Sequence, residues 1–342
     1  TTGRATFNKL TFHQETGGGT AWHFYLLGNI TLVVSNTLSI GTATSYGGGT
    51  LHDGSIEALS NIDIRQDYSQ STTTLYIKGQ GNQIMTGTGA SALPPYTVIN
   101  KPSGRLSLAG TFALRRSWTH LSGEVDPGTS YVWAYAYSTG SGRIITITSA
   151  VGRVNFYDFR IDQTAGGGTA YYIDIADGTT MVITNRLMFD PTSGFQIRKG
   201  LIEVHGDIIN EASSVFGTTP IVIAGANDHA ISTLSPFNQL GFDMEVNKSG
   251  GIFTLATPLI FNTANKDFTL KAGIFNLSTN KFTLSAAGAD FRMTNNATLM
   301  VKVDSNTNGM IAVTGSGIAR IDGNLYIYAD KGFRPDPNKT NV

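Results

Sequence analysis

The chain has 342 residues, of which 24 are Lys or Arg and 24 are Asp or Glu, so its formal net charge is zero. Charged residues make up 14% of the sequence, against about 25% in an average soluble domain, and no basic block offers nucleic acid or an anionic membrane an electrostatic footprint. The absence of cysteine excludes disulfides, thiolate metal sites and a cysteine nucleophile, and no apolar run is long enough for a membrane span.

The two ends of the sequence indicate how the chain is processed. It opens at Thr1, without an initiator Met or a charged-then-apolar leader, which predicts a processed or excised form. Thr, Ser, Asn and Gly supply most of the polarity, as is common in exported surface proteins, and a chain without cysteine enters an oxidising space without mispairing. Residues 331–342 contain Pro335 and Pro337 and lose the apolar alternation, so we expect a linker or disordered tail there.

An internal repeat organises the rest of the chain. Four segments recur in the same order at offsets between 146 and 149 residues. The matched pairs are 3–7 with 152–156, 17–22 with 166–171, 54–57 with 200–203, and 100–101 with 247–248. Because chance would scatter the offsets, we infer a duplication with a first copy in 1–150 and a second copy in 151–330. The second copy also contains a partial third repeat that begins at Gly317.

Both copies consist of short apolar segments. Runs of alternating or β-branched residues are separated by Gly, Asn, Ser and Thr clusters, and no segment keeps the 3.6-residue period of an amphipathic helix. The sequence therefore predicts an all-β chain of many short strands. The clearest runs are 30–34, 75–78, 105–108, 144–148, 181–184, 268–270, 282–284, 299–303 and 325–328.

Two architectures fit this pattern: a parallel β-solenoid (β-helix), or tandem β-sandwiches with one sandwich in each copy. Sandwiches need tight hairpin turns of the Asn-Gly or Asp-Gly type, but most of the runs are joined by longer polar bends. In the C-terminal third the apolar runs are evenly spaced, as expected for three faces per turn of about 24 residues. This spacing favours the solenoid and predicts about fourteen turns.

One series of residues in the first copy resembles a known repeat module. The series comprises GQGNQI at 79–84, YTVINKPSG at 96–104, LSL at 106–108 and LSGEV at 121–125. It is similar to the modules repeated in very large secreted and cell-surface proteins of Bacteroidota, including gliding-type adhesins. The second copy carries a degenerate version, through Gly225, His229, Ile231 and 245–250, which lacks the Asn-Gln pair. The resemblance implies export by the type IX route and a place outside the outer membrane, and it implies no catalytic residue.

Several glycine- and asparagine-rich segments mimic ligand-binding loops. Triple glycines occupy 17–19, 47–49 and 166–168, but none precedes the Lys and helix of a phosphate loop. Residues 304–309 match the first half of an EF-hand loop, yet the position of its bidentate Glu is held by Gly315. We interpret all four segments as turns, with a weak calcium clip at 304–309 as the alternative.

Candidate metal ligands and catalytic carboxylates are sparse. The six histidines form no His-x-His or His-x3-His pair, which predicts no metal site, and no cofactor motif is present. Asp158 and Asp162 would share one strand face, but at about 3.3 Å per residue they would lie ~13 Å apart. Glycoside hydrolysis needs carboxyls about 5 to 9.5 Å apart, and Arg160 lies between them in the sequence, so we expect a neutralised surface ladder and no enzyme.

The most informative stretch is an aromatic strip of Tyr131, Trp133, Tyr135 and Tyr137. Strand alternation places these four residues on one face and the small residues between them on the other. If the small face is inside, the strip is exposed and suits sugar rings or a protein partner; if the aromatic face is inside, the strip is bulky core. The sequence leaves both alternatives open.

These observations predict a non-enzymatic, extracellular module of a large bacterial surface protein, a rigid rod with a lateral face for a glycan or surface ligand. Open solenoid ends favour protein partners or end-to-end self-association. The first alternative is a polysaccharide-degrading β-helix enzyme or a phage tail-spike-like protein. The second is an ice- or surface-binding solenoid, which needs Thr-x-Thr rows repeated in register; Thr146-Ile147-Thr148 has this spacing, but the sequence shows no regular series of such triplets.

Overall fold

A computed structural model describes residues 3–13, 22–27, 29–41, 49–65, 71–89, 92, 94–135, 144–162, 171–190, 195–212, 215–234, 240–303 and 310–329. Within these ranges the strands pair in parallel, as in Thr31 with Ser55 and Met244 with Phe268, and no helix is present. The fold is a β-solenoid of about 11 turns. The predicted all-β solenoid is thus confirmed, and the tandem sandwiches, which would need antiparallel sheets, are excluded.

The chain divides into two compact units, Thr1–Glu203 and Val204–Val342. The described strands up to this boundary are β1 (Arg4–Phe12), β2 (Trp22–Tyr25), β3 (Thr31–Ile40), β4 (Gly49–His52), β5 (Ser55–Ala58), β6 (Ile62–Ile64), β7 (Thr74–Ile77), β8 (Gln83–Thr88), β9 (Tyr96–Leu114), β10 (Trp118–Asp126), β11 (Tyr131–Tyr135), β12 (Ile144–Ser149), β13 (Arg153–Asp162), β14 (Tyr171–Ile175), β15 (Thr180–Phe189), β16 (Phe195–Arg198) and β17 (Leu201–Val204). The strands after it are β18 (Asp207–Asn210), β19 (Val215–Gly217), β20 (Ile221–Ile223), β21 (His229–Thr233), β22 (Leu240–Gly241), β23 (Met244–Leu255), β24 (Leu259–Phe261), β25 (Phe268–Asn276), β26 (Lys281–Leu284), β27 (Phe291–Met293), β28 (Ala297–Val303), β29 (Met310–Val313), β30 (Ala319–Ile321) and β31 (Asn324–Ala329). The predicted tail at 331–342 lies outside the described residues.

The turns of the solenoid differ in length. Ser55 of β5 pairs with Thr74 of β7, 19 residues later, whereas Trp118 of β10 pairs with Ile147 of β12, 29 residues later. The constant repeat that predicted about fourteen turns is therefore wrong, and the number of turns is about 11. Extra residues are added between strands, where they do not disturb the parallel ladders.

A tight corner occurs at equivalent places in the two sequence copies. Asp53 and Lys199 both adopt left-handed backbone angles, with φ of 59° and 61°. Each is followed by a glycine of positive φ, Gly54 and Gly200. A Cβ on Gly54 would lie 2.5 Å from the carbonyl oxygen of Ile30, and one on Gly200 would collide with Ile175. Both corners therefore require glycine for its backbone freedom and its small size.

An arginine–glutamate pair is also repeated. Arg4 of β1 holds Glu57 of β5 through two hydrogen bonds of 2.8 and 3.3 Å. Arg153 of β13 holds Glu203 of β17 through two bonds of the same lengths. In each case the pair reaches across the intervening strand, so the two copies share side-chain contacts as well as sequence.

The interior of each unit consists of stacked apolar columns. In the first unit Val132, Phe159 and Leu187 are buried neighbours on β11, β13 and β15. In the second unit the columns are richer in phenylalanine, and the rings of Phe268 and Phe291 stack with their centroids 5.8 Å apart. Each column buries apolar surface against the turns before and after it, which is how a solenoid gains stability.

Candidate functional site

The segments 79–84 and 96–104 of the first copy, which we call the Gln–Lys motif, form a corner around a buried lysine. Lys101 of β9 is 1% exposed. Its Nζ donates to the carbonyl oxygens of Gly79 and Gly81, at 2.7 and 2.8 Å, and to Oε1 of Gln83, at 2.6 Å. An ammonium group has three protons, so each one has an acceptor. Burial lowers the pKa of Lys101, while the three acceptors favour its charged form.

The other motif residues complete this corner. The amide nitrogen of Gln83 donates to the carbonyl oxygens of Ala58 and Ser60, and Oδ1 of Asn82 accepts the backbone N–H of Arg105 at 3.0 Å. Gly104, with φ of +70°, packs so closely on the previous turn that a Cβ would lie 2.6 Å from the carbonyl carbon of Gly81. The motif therefore joins successive turns, and each of these polar residues has a structural partner.

The second copy has a corresponding corner, in which the lysine donates to a backbone carbonyl and a histidine stands in place of the glutamine. Lys248 of β23 is 3% exposed, and its Nζ donates to the carbonyl oxygen of Asn227 at 2.7 Å. Oδ1 of Asp228 accepts the backbone N–H of Ile252, as Asn82 does for Arg105. His229 takes the sequence position of Gln83, and its Nε2 is buried without a hydrogen-bond partner among the described residues. Burial, followed by the charge of Lys248, lowers the pKa of His229.

The first two residues of the aromatic strip, Tyr131 and Trp133, lie on the outward face of β11. Val132 and Ala134 point into the core and are fully buried, whereas Tyr131 and Trp133 are partly exposed. Of the two alternatives that the sequence leaves open, the structure thus shows the small face inside at these four positions. Tyr135 ends β11, but its side chain, like the whole of Tyr137, lies outside the described residues.

An arginine from the next turn organises the two described aromatic rings. Arg160 of β13 lies with its guanidinium carbon 5.2 Å from the ring centroid of Trp133. Its Nη1 donates to the hydroxyl of Tyr131 at 3.4 Å, and it forms an ion pair with Asp190. The three side chains make one surface, which we call the aromatic–arginine face: Tyr131, Trp133 and Arg160.

Asp158 and Asp162, the carboxylates that the sequence analysis singled out, lie on the same strand as Arg160. Asp158, 4% exposed, accepts hydrogen bonds from Nε and Nη2 of Arg186, at 3.1 and 2.5 Å, and from Nδ2 of Asn185 at 2.7 Å. The hydrogen bond that Arg186 donates to the carboxylate of Asp158 raises the pKa of Arg186. Asp162 is buried as well. The neutralising partners therefore differ from the expected ladder, since Arg186 holds Asp158 and Arg160 pairs with Asp190.

Aromatic–cation pairs recur on the outward faces of the first unit. The guanidinium of Arg198 lies 3.6 Å from the ring centroid of Tyr172 and is held there by a two-bond contact with Asp174. Arg116 lies 5.1 Å from the ring centroid of Tyr96 and donates to its hydroxyl. A cation above an aromatic ring is attracted by the negative face of the ring and fixes its orientation.

A pair of histidines was missed by the sequence analysis. His23 of β2 and His52 of β4 are 29 residues apart, but the ladder between β2 and β4 brings Nδ1 of His23 within 2.8 Å of Nε2 of His52. The ring of Tyr25 stacks on that of His52 at 4.4 Å. No local spacing motif could have found this pair, because it depends on the length of one solenoid turn.

The loop segments that the sequence analysis interpreted as turns fall almost entirely outside the described residues. The calcium-like segment 304–309 and the triple glycines lie outside the described residues, apart from Gly49, which begins β4. Among the side chains that the structure describes, no group of three or more His, Cys, Asp or Glu is arranged to hold a metal ion. The same part of the chain contains no helix long and apolar enough to cross a membrane.

Comparison with known proteins returns no matching protein-family model, no similar curated protein and no similar solved structure.

Proposed function

We propose that this chain is a non-enzymatic, extracellular structural and adhesive module of a large bacterial surface protein. The solenoid holds the aromatic–arginine face, which binds a glycan or another surface ligand. The observation that carries the proposal is the orientation of β11, because Val132 and Ala134 occupy the core and leave Tyr131 and Trp133 outside.

The chemistry of the face supports ligand binding by stacking. Flat aromatic rings receive the apolar C–H faces of sugars or the side chains of a protein partner. Arg160 orients both rings and adds hydrogen-bond donors beside them. Because the inward residues of β11 supply the packing, the outward rings are not needed to fill the core.

The state of the nearby carboxylates supports a role without catalysis. A retaining or inverting glycosidase needs two carboxyl groups that face the substrate, one of them free to donate a proton. Asp158 instead accepts three hydrogen bonds from Arg186 and Asn185 and is withdrawn from solvent.

The proposal is tested by screening the chain on a glycan array and measuring the affinity of each hit by biolayer interferometry. We expect Trp133→Ala to lower the affinity at least about fivefold, taking as a guide the about 1–3 kcal/mol that a nucleobase gains by stacking on an aromatic side chain. The melting temperature should change little, because Trp133 points outward. Tyr326→Ala, which removes an exposed aromatic ring of the second unit, is the matched control and should keep full affinity.

Two results would overturn the proposal. Unchanged binding by Trp133→Ala would remove the aromatic–arginine face from ligand recognition. Release of reducing sugar from any bound glycan would instead assign the chain to the polysaccharide-degrading β-helix enzymes or tail-spike-like proteins. The extracellular location is tested separately, by antibody labelling of intact cells of the source bacterium.

A further inference from the structure

Arg186 adds a second guanidinium group to the surroundings of the aromatic–arginine face. The strand register aligns Tyr131 of β11 with Asp158 of β13 and Arg186 of β15, and it aligns Trp133 with Arg160. The side chain of Arg186 reaches back one turn to bind Asp158. One guanidinium therefore lies over the ring of Trp133, and the other binds the carboxylate on the strand next to Tyr131.

The charges of the two ion pairs are arranged in layers. The side chain of Arg186 is 43% exposed and that of its partner Asp158 is 6% exposed. Arg160 is 34% exposed and its partner Asp190 is 9% exposed. The carboxylates therefore lie beneath the guanidinium groups, and a molecule that approaches from solvent meets N–H donors first. An anionic group is attracted to such a surface, because it interacts more strongly with the charge that is closer to it.

Both guanidinium groups keep donors for a ligand. An arginine side chain has five N–H donors. Arg186 uses Nε and Nη2 on Asp158, and Arg160 uses Nη1 on the hydroxyl of Tyr131 and Nη2 in its ion pair with Asp190. Among the residues that the structure describes, these contacts leave Nη1 of Arg186 and Nε of Arg160 without an acceptor. Guanidinium groups bind oxyanions through short, charge-assisted hydrogen bonds.

We propose that the aromatic–arginine face recognises an anionic glycan, with a sugar ring on Tyr131 or Trp133 and a carboxylate or sulfate group of the same glycan on Arg160 and Arg186. This inference rests on the adhesive function proposed above and names the ligand class of that site. Adjacent strands lie about 4.8 Å apart, so the substituents of a stacked sugar ring are within reach of the neighbouring guanidinium groups. A neutral glycan would use the rings alone.

The experiment compares matched pairs of glycans on the full chain by biolayer interferometry. Oligogalacturonate carries carboxylates that its methyl ester lacks, and dextran sulfate is compared in the same way with dextran. We expect at least one anionic member to bind at least about tenfold more tightly than its neutral partner. Added salt should reduce this ratio, because it screens exposed charges. The pair with the larger ratio tells whether the anion is a carboxylate or a sulfate.

A double substitution separates the charge of Arg186 from its structural contact. Arg186→Gln alone would leave the charge of Asp158 unpaired, whereas Arg186→Gln/Asp158→Asn removes both charges and keeps polar groups at both positions. We expect the double variant to lose most of the preference for the anionic glycan and to keep its affinity for the neutral one. Arg292→Gln removes an arginine of the second unit that pairs with Asp290, and it should leave the ratio unchanged.

The outcomes separate this inference from the function on which it rests. Equal affinity for anionic and neutral glycans, with both lost in Trp133→Ala, overturns the anionic preference and keeps the adhesive function. Binding to no glycan, anionic or neutral, overturns the glycan-binding role and this inference with it. An unchanged ratio in the double variant overturns the inference alone, as does anionic binding that Trp133→Ala does not weaken. The ratio in the unaltered chain and its salt dependence need no variant, so they test the inference however the variants fold.

Discussion

The corners around Lys101 and Lys248 have the same backbone but different side-chain support. Both lysines are buried, both follow an asparagine in the sequence, and both lie beside an Asn or Asp whose oxygen accepts a backbone N–H from the next turn. Lys101 has three acceptors, including Gln83. Lys248 donates to the carbonyl oxygen of Asn227, and a histidine replaces the glutamine.

The difference shows which part of the motif the fold requires. Gly104 and Gly251 have φ of +70° and +63°, and a Cβ on either would press against the backbone of the previous turn. This close approach is kept in both copies, whereas the side-chain acceptor is not. The backbone corner is therefore the essential element, and the Gln83–Lys101 contact adds stability to it.

The largest expected effect comes from removing the lysines. Lys101→Met leaves two buried acceptors and one partly exposed acceptor without a donor, and at about 1–3 kcal/mol for each buried unsatisfied group we expect a loss of about 4 kcal/mol in the free energy of unfolding. Lys248→Met should cost about 1–2 kcal/mol, because fewer contacts are lost and a buried charge is removed. Urea unfolding measures both variants. Equal losses would contradict the difference between the corners.

Gln83 and His229 occupy the same position in the two copies, and exchanging each for the other residue type should change the free energy of unfolding in opposite directions. Gln83→His removes the bonds to Lys101, Ala58 and Ser60, and we expect it to destabilise the chain by about 2 kcal/mol. His229→Gln gives Lys248 an amide oxygen and should stabilise the chain by about 1 kcal/mol. The urea midpoints should therefore move in opposite directions, and a downward shift in both variants would show that the second corner is adapted to histidine.

Lowering the pH should produce a smaller difference in stability between the two corners, because only the second one contains a histidine. The pKa of His229 is lowered by burial and by Lys248, so the folded chain takes up this proton less readily than the unfolded chain. As the pH falls below the ordinary imidazole value of about 6.5, the free energy of unfolding should decrease until the lowered pKa is reached. His229→Gln should reduce this decrease. The measurement is the urea midpoint between pH 7.5 and 5, and parallel profiles for the two proteins would refute the assignment.

The smallest effect on stability is expected for the arginine–glutamate pair that both copies contain. Arg4→Gln and Arg153→Gln each break a two-bond pair with a glutamate, but both arginine side chains are more than half exposed. Exposed ion pairs add little to stability. We expect melting temperatures close to that of the unaltered chain, and similar for the two variants. A large drop for one of them would reveal a role that its repeat partner lacks.

The sequence predicted the features that depend on local pattern. Short strands, their separation by polar bends and the recurrence at 146 to 149 residues were enough for an all-β solenoid built from a duplication. The number of turns was not predictable, because it depends on how many residues each corner absorbs between paired strands.

The site residues were predicted less completely. The alternation of side chains along a strand grouped Tyr131 with Trp133, but it does not say which face of the strand lies inside. The burial of Val132 and Ala134 in the structure decides this. The motif drew attention to Gln83 and Lys101 without giving the reason, since their contacts join different turns. His23 and His52 meet only through the register of β2 and β4. Contacts between turns are invisible to any local reading of the sequence.

The measurement that tests the structural role of the motif most directly is the NMR spectrum of the lysine ammonium groups. With ¹⁵N-labelled lysine, Lys101 should give a slowly exchanging NH₃⁺ signal, because all three protons are bonded and shielded from water. Lys271, which is exposed, should exchange too fast to be seen, and Lys101→Met identifies the signal. A Lys101 ammonium that exchanges as fast as that of Lys271 would contradict the buried corner on which this account rests.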